Sequence, residues 1–124
     1  MKGGITLYKI GEFSQIVGIS VRTLRYYDEE NVLKPSEIDP FTGYRYYTDD
    51  DIIECELIKL LKSLDFTLEE IAIYKNNITD DIMQKKEEQI LKKLNEFEEK
   101  YQKIKEMRKQ MQGKKIILKR KYEG

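Results

Sequence analysis

The 124 residues contain no histidine and a single cysteine, Cys55. These two absences remove the usual ligands of zinc, copper and iron–sulfur clusters, and one thiol cannot close an intrachain disulfide. Cys55, close to Ile52 and Ile53, reads as a small packing residue. Acid–base catalysis loses its commonest agent, and no glycine-rich phosphate loop is present. The run Asp49-Asp50-Asp51 suggests a divalent cation site at first sight, but consecutive helical residues point in different directions and do not converge on one ion. Neither catalysis nor a cofactor or metal is expected. Long apolar runs are also missing: Met1 to Lys9 does not suit a signal peptide, and no stretch approaches the roughly 18 consecutive apolar residues of a membrane span. The chain therefore reads as a reduced, cytoplasmic protein with no membrane partner. An excess of charge of one sign is lacking too, since 23 basic residues face 23 acidic ones. Residues 1–47 repeat that balance, with Lys2, Lys9, Arg22, Arg25, Lys34 and Arg45 against Glu12, Asp28, Glu29, Glu30, Glu37 and Asp39. Any attraction to phosphate must come from where the charges sit.

What is present is helical punctuation. Leu7-Tyr8-Lys9 is a short extended lead-in, after which Ile10, Phe13, Ile16 and Val17 recur at spacings of three and four. Gly18 stands where a left-handed residue ends that helix. Ser20 can cap the next, from Val21 to Glu30, in which Val21, Leu24 and Asp28 share one face and Arg22, Arg25 and Tyr26 point away. Two helices about a glycine turn, with guanidinium and phenol groups outermost, form the helix-turn-helix that a major-groove reader needs; a plain helical hairpin fits the same segment. After Val32-Leu33, Lys34-Pro35 stops the helix.

The following EIDPFTGYRYYTDD carries turn signals at Asp39-Pro40 and Thr42-Gly43 and strand formers at Tyr44 to Tyr47, so it predicts a small β-hairpin wing. Thr48 or Asp49 then caps a third helix, its first turn rich in Asp, with Ile53, Leu57, Leu60, Leu61 and Leu64 on the expected core face. Asp65-Phe66 breaks it. Thr67-x-x-Glu70 is a capping box for a fourth helix holding Ile71, Ile73 and Tyr74, ended by Asn76-Asn77. From Thr79 or Asp80 the composition turns to Glu, Lys and Gln. A heptad seam runs through Met83, Glu87, Ile90, Leu94, Phe97, Tyr101, Ile104, Arg108 and Met111, apolar except at Glu87 and Arg108. Such a seam buries nothing without a partner and predicts a coiled coil. Past Gly113, KKIILKRKY reads as a strand without a partner strand.

The expected fold is thus mainly α: a winged helix-turn-helix head with a small β-hairpin wing over residues 1–77, ending in a helix pair, then a long coiled-coil dimerisation helix over 78–112, then a strand-like tail over 113–124. The words YKIGEFSQIVGIS, VRTLRYYDEENVLKP and DPFTGYRYYTDDDI, in that order, resemble the MerR family of bacterial transcription regulators, and its multidrug-responsive members most. The pair Leu24-Arg25-Tyr26-Tyr27-Asp28 and Gly43-Tyr44-Arg45-Tyr46-Tyr47 carries the likeness, which covers about residues 7 to 112.

The resemblance implies a homodimer held by an antiparallel coiled coil. It implies that the dimer binds a pseudo-palindromic operator in double-stranded promoter DNA and distorts the spacer to control transcription by RNA polymerase. Its effector, a small molecule, is not named by the sequence, and 114–122 is at most the first strand of a sensing segment. The candidate DNA contacts are Ser20, Arg22, Arg25, Tyr26, Tyr27, Tyr44, Arg45, Tyr46 and Lys62. Arg45 is by likeness a phosphate clamp with Tyr46 or Tyr47 packed on the head, and Tyr27 divides between core and phosphate. The plainer reading of Arg25 is a solvated pair with Glu29. The expected dimer interface is Ile90, Leu94, Phe97, Tyr101, Ile104 and Met111. The competing function, favoured by zero net charge, is a coiled-coil protein-interaction module that binds no DNA, with Arg and Tyr as interface anchors.

Overall fold

The computed structural model describes residues 5–113; the strand reading of 114–122 lies outside them. Two units follow one another, residues 1–79 and 80–124.

In the first unit, strand β1 (Tyr8–Lys9) leads into helix α1 (Ile10–Val17), which ends at Gly18 with φ 70°. Lys59 donates from Nζ to the Val17 carbonyl, setting a cation against the negative end of α1. Helix α2 (Val21–Glu29) starts as its sequence dictates, with Ser20 Oγ accepting from the Thr23 amide at 3.1 Å. Its end corrects the sequence reading. Proline does not stop the helix; Asn31 does, at φ 60°, with the Val32 amide donating back to the Tyr27 carbonyl and the Asn31 amide to that of Asp28. That is a Schellman closure built on Asn, and it turns Val32 and Leu33 into the core.

The wing holds β2 (Glu37–Ile38) and β3 (Arg45–Tyr47), but the sheet is larger than a hairpin, because β1 joins β3 antiparallel and gives the order β1-β3-β2. The lead-in was too short for its sequence to announce a strand; pairing Tyr8 with Tyr47 and Lys9 with Tyr46 makes it one. At the tip, Asp39 Oδ1 accepts from the amides of Phe41 and Thr42 at 2.8 and 3.1 Å, and Gly43 takes φ 75°. These backbone bonds hold the Asp39 carboxyl below its ordinary pKa.

Helix α3 (Asp49–Ser63) is capped by Thr48, whose amide donates to Asp51 at 2.8 Å. Its buried face is Asp51, Cys55, Ile58 and Leu61, which shares only Leu61 with the predicted Ile53, Leu57, Leu60, Leu61 and Leu64. Of those five only Leu61 is buried, and Ile53 is 68% exposed. The helix is apolar on two sides, and packing on α1 and α4 selects the side that periodicity ranked second. The expected break at Asp65-Phe66 is a second Schellman closure, Asp65 at φ 68°, which seats Phe66 beside Leu61 in the core. Thr67 and Glu70 make the capping box that opens α4 (Leu68–Tyr74).

The core of this unit is formed by Phe13, Val17, Leu24, Tyr27, Leu33, Tyr47, Ile58 and Ile71. Phe13 and Tyr47 stack with centroids 4.3 Å apart and an 8° interplanar angle, joining α1 to the sheet. Burial in this core pushes the Tyr47 hydroxyl and the Cys55 thiol each up to about 12.

The described residues of the second unit form one helix, α5 (Asp80–Gly113), opened by Asp80 and Asp81. Among the described residues no helix is long and apolar enough to cross a membrane.

Candidate nucleic-acid interface

Ser20 fixes the start of α2 and the buried Leu24 fixes its roll, and together they leave Arg22, Arg25 and Tyr26 exposed, Tyr26 by 47%. Among the described residues neither arginine is held in an ion pair, so the pairing of Arg25 with Glu29 does not form. Both line an open concavity of about 440 Å³ with Tyr26 and Glu29. Arg25 also lines a second, of about 470 Å³, with Lys9, Glu12, Tyr44 and Arg45. Strand β1, helix α2 and the wing therefore present one cation each, Lys9, Arg25 and Arg45, to one hollow that Glu12 also lines. Lys9 was passed over in the sequence, where it reads only as lead-in; its Nζ lies 5.8 Å from the centroid of the Tyr44 ring.

In the wing, Arg45 and Tyr47 turn inward. Tyr47 is the tyrosine that packs on the head, fully buried, while Tyr46 is half-buried and Tyr44 exposed. Arg45 Nε donates to Asp28 Oδ2 at 3.0 Å. Tyr27 goes to the core at 3% exposure, with its hydroxyl 3.4 Å from Lys62 Nζ on the last turn of α3. Phe41, not singled out by any pattern, projects from the wing tip 95% exposed.

Position resolves part of the charge balance of the sequence, although Glu12 and Glu29 each line one of the two hollows that Arg25 lines. Asp28 is covered and shared by Arg45 and Lys34. Glu37, Asp49 and Asp50 gather about a separate concavity of about 730 Å³, where Asp49 accepts from the Tyr8 hydroxyl at 2.7 Å and so raises the pKa of that phenol. Among the described residues no group of three or more acids or thiols is placed to hold a metal ion.

A glycine-turned helix pair, a sheet wing beside it and a cationic hollow where the two meet define a winged helix-turn-helix of the DNA-binding kind. The family description "MerR HTH family regulatory protein" matches residues 8–78. The chain belongs to the MerR family of transcription regulators, and the family and the relatives it matches are regulators, not enzymes. It is 48% identical over 64 residues to the multidrug-efflux transporter 1 regulator of Bacillus subtilis, a stretch that is 52% of this chain and 23% of that protein. To the HTH-type transcriptional activator mta of the same organism it is 32% identical over 100 residues, 78% of this chain and 38% of that one. It thus spans between about a quarter and two-fifths of these relatives. Among solved structures it resembles the N-terminus of MtaN, the B. subtilis multidrug transporter activator, with a TM-score of 0.70 and 31% identity over 81% of this chain and 96% of that one. It also resembles EcmrR in the EcmrR–DNA complex in EcmrR-RPo, solved by cryo-EM, with a TM-score of 0.79 and 29% identity over 90% of this chain and 42% of that one.

Proposed function

We propose that the chain acts in the cytoplasm as a homodimer on a pseudo-palindromic promoter operator. In this reading the α5 helices pair antiparallel, and the dimer distorts the promoter spacer to control transcription by RNA polymerase. The observation that carries the reading is the convergence of Lys9, Arg25 and Arg45 on one hollow between α1, α2 and the wing, with Arg22 and Tyr26 exposed beside it. The likeness to EcmrR in its DNA complex supports it. Arg22, Arg25 and Tyr26 read the groove or its edge; Arg45, Tyr44 and Tyr46 hold backbone at the wing; Ser20 keeps its cap on α2 and turns its hydroxyl proton from Thr23 Oγ1 to phosphate. Lys62, whose ammonium donates to the buried Tyr27 hydroxyl, makes a second backbone grip, and Tyr27 acts by holding it.

The dimer reading rests on α5, where Ile90, Leu94, Phe97, Tyr101, Ile104 and Met111 are all exposed along the seam. Apolar residues at that spacing on an otherwise polar helix are stable in water only when covered by a partner helix. The test is titration of the chain's own upstream promoter duplex by fluorescence anisotropy at several salt concentrations. Each neutralised phosphate contributes about −0.9 to the slope of log affinity against log salt, so a two-headed dimer gives a slope of several units. A slope near zero contradicts the contacts, and no binding at low salt favours the interaction-module reading.

A further inference from the structure

Asp28 occupies an unfavourable position in two respects. It lies in the last turn of α2, where the helix dipole disfavours an anion, and it sits on the helix proposed to approach phosphate. It is nonetheless covered, its side chain 12% exposed, and both oxygens are engaged. Oδ2 accepts from Arg45 Nε at 3.0 Å, and Oδ1 accepts from Lys34 Nζ at 3.2 Å, which also donates to the Asp28 carbonyl at 3.2 Å. Burial works against the carboxylate, but the hydrogen bonds from Arg45 and Lys34 outweigh it and keep the carboxyl below its ordinary range. The acid ties together three segments: α2, the loop that follows it, and strand β3.

The bond to Arg45 goes through Nε. A guanidinium presents five donors in a flat fork, so a carboxylate on Nε leaves the two Nη groups for a second acceptor and fixes the plane in which they lie. Arg45 lines the hollow it shares with Arg25 and Lys9. We propose that Asp28 is a positioning residue for DNA binding: by holding the Nε of Arg45 it sets the remaining face of the guanidinium against a backbone phosphate. This rests on the reading of Arg45 as a phosphate contact.

The proposal makes a prediction opposite to that of simple charge. Removing an acid near the DNA raises affinity if Asp28 only repels phosphate; it lowers affinity if Asp28 orients Arg45. The test is anisotropy titration of the promoter duplex with the full chain and with Arg45→Ala, Asp28→Asn and the double variant, each checked for its thermal unfolding midpoint. Arg45→Ala is expected to lower affinity by about tenfold and Asp28→Asn by a smaller factor, with the double variant no weaker than Arg45→Ala alone. Arg45→Lys keeps the charge but has no Nε, and its affinity is expected to be insensitive to Asp28→Asn. If Asp28→Asn fails to fold, Arg45→Lys decides alone: affinity equal to the parent's overturns the proposal. Asp28→Asn binding as well as or better than the parent, or losing the same factor with and without Arg45, also overturns it and leaves Asp28 structural. No effect of Arg45→Ala removes the phosphate contact itself and with it the need for positioning, an outcome distinct from the other two.

Discussion

The head and the long helix treat apolar residues in opposite ways. Within residues 5–79, Phe13, Leu24, Leu33, Tyr47, Ile58 and Ile71 are sealed from solvent, and α1, α2 and α3 each end in a left-handed turn. Along α5 the apolar residues form a stripe as regular as any in the head, yet Phe97 remains 65% exposed. The head buries a core of its own, although Ile53 and Ile73 stay exposed; α5 buries none of its seam, as the proposed dimer requires. Stability and binding should therefore be separable. The largest expected effect comes from the seam: Leu94→Asp with Phe97→Asp should give monomers by light scattering and weaken operator binding by about a hundredfold or more, because the second head no longer binds at high effective concentration. The thermal midpoint of the head should stay where it was. Dimers that persist would sink the contrast.

Next in size is the reverse experiment, which spoils the head and spares the helix. Phe13→Ala empties the partner of the Tyr47 stack and should cost about 3–5 kcal/mol in denaturant unfolding, with the helical signal of α5 and its dimerisation retained. Smaller again is Arg25→Ala, which touches no core atom: binding should weaken by about 1–3 kcal/mol with no change in unfolding midpoint.

The contrast also bears on what could be read in the chain. The long helix α5 was legible because one helix needs one period, and the caps at Ser20 and Thr67 were legible because each is settled within three residues. The core face of α3 was not. Ile53, Leu57, Leu60 and Leu64 are as apolar as Cys55, Ile58 and Leu61, and only the packing of α1 and α4 against the second set decides between them. The same holds for the site. Arg22, Arg25 and Tyr26 follow from the roll of α2 about Leu24. Lys9 becomes visible only when β1 pairs with β3, and Asp28 reaches Arg45 only when the wing folds onto α2.

A titration separates the two regions by their buried groups. Tyr47 and Cys55 are acids whose folded pKa values, each about 12, lie above the ordinary 10.0 and 9.0. The unfolded chain loses these protons first, so the head's stability is intact below pH 9 and falls as pH rises from there toward 12. Asp28 is shifted the other way, below 3.8, so its contribution is present above that pH and is lost as pH falls through the lower, folded value. Denaturant midpoints followed through tyrosine fluorescence should decline at both ends. A head whose stability is flat from pH 8 to 11 would contradict the burial of both groups.

The smallest effect, at Ser20, distinguishes capping from contact at one atom. Its hydroxyl accepts from the Thr23 amide and donates to Thr23 Oγ1 at 2.9 Å. Ser20→Ala removes the cap and should lower stability by about 1 kcal/mol. Ser20→Asp restores an acceptor for Thr23 and adds a charge favourable at the positive end of α2, so unfolding midpoints should return to the parent value or above it. If Ser20 faces phosphate, that same carboxylate repels the duplex, and Ser20→Asp should bind more weakly than Ser20→Ala although it is the more stable of the two. Should Ser20→Asp bind like the parent, Ser20 is a cap alone, and the phosphate contacts begin one turn further along α2.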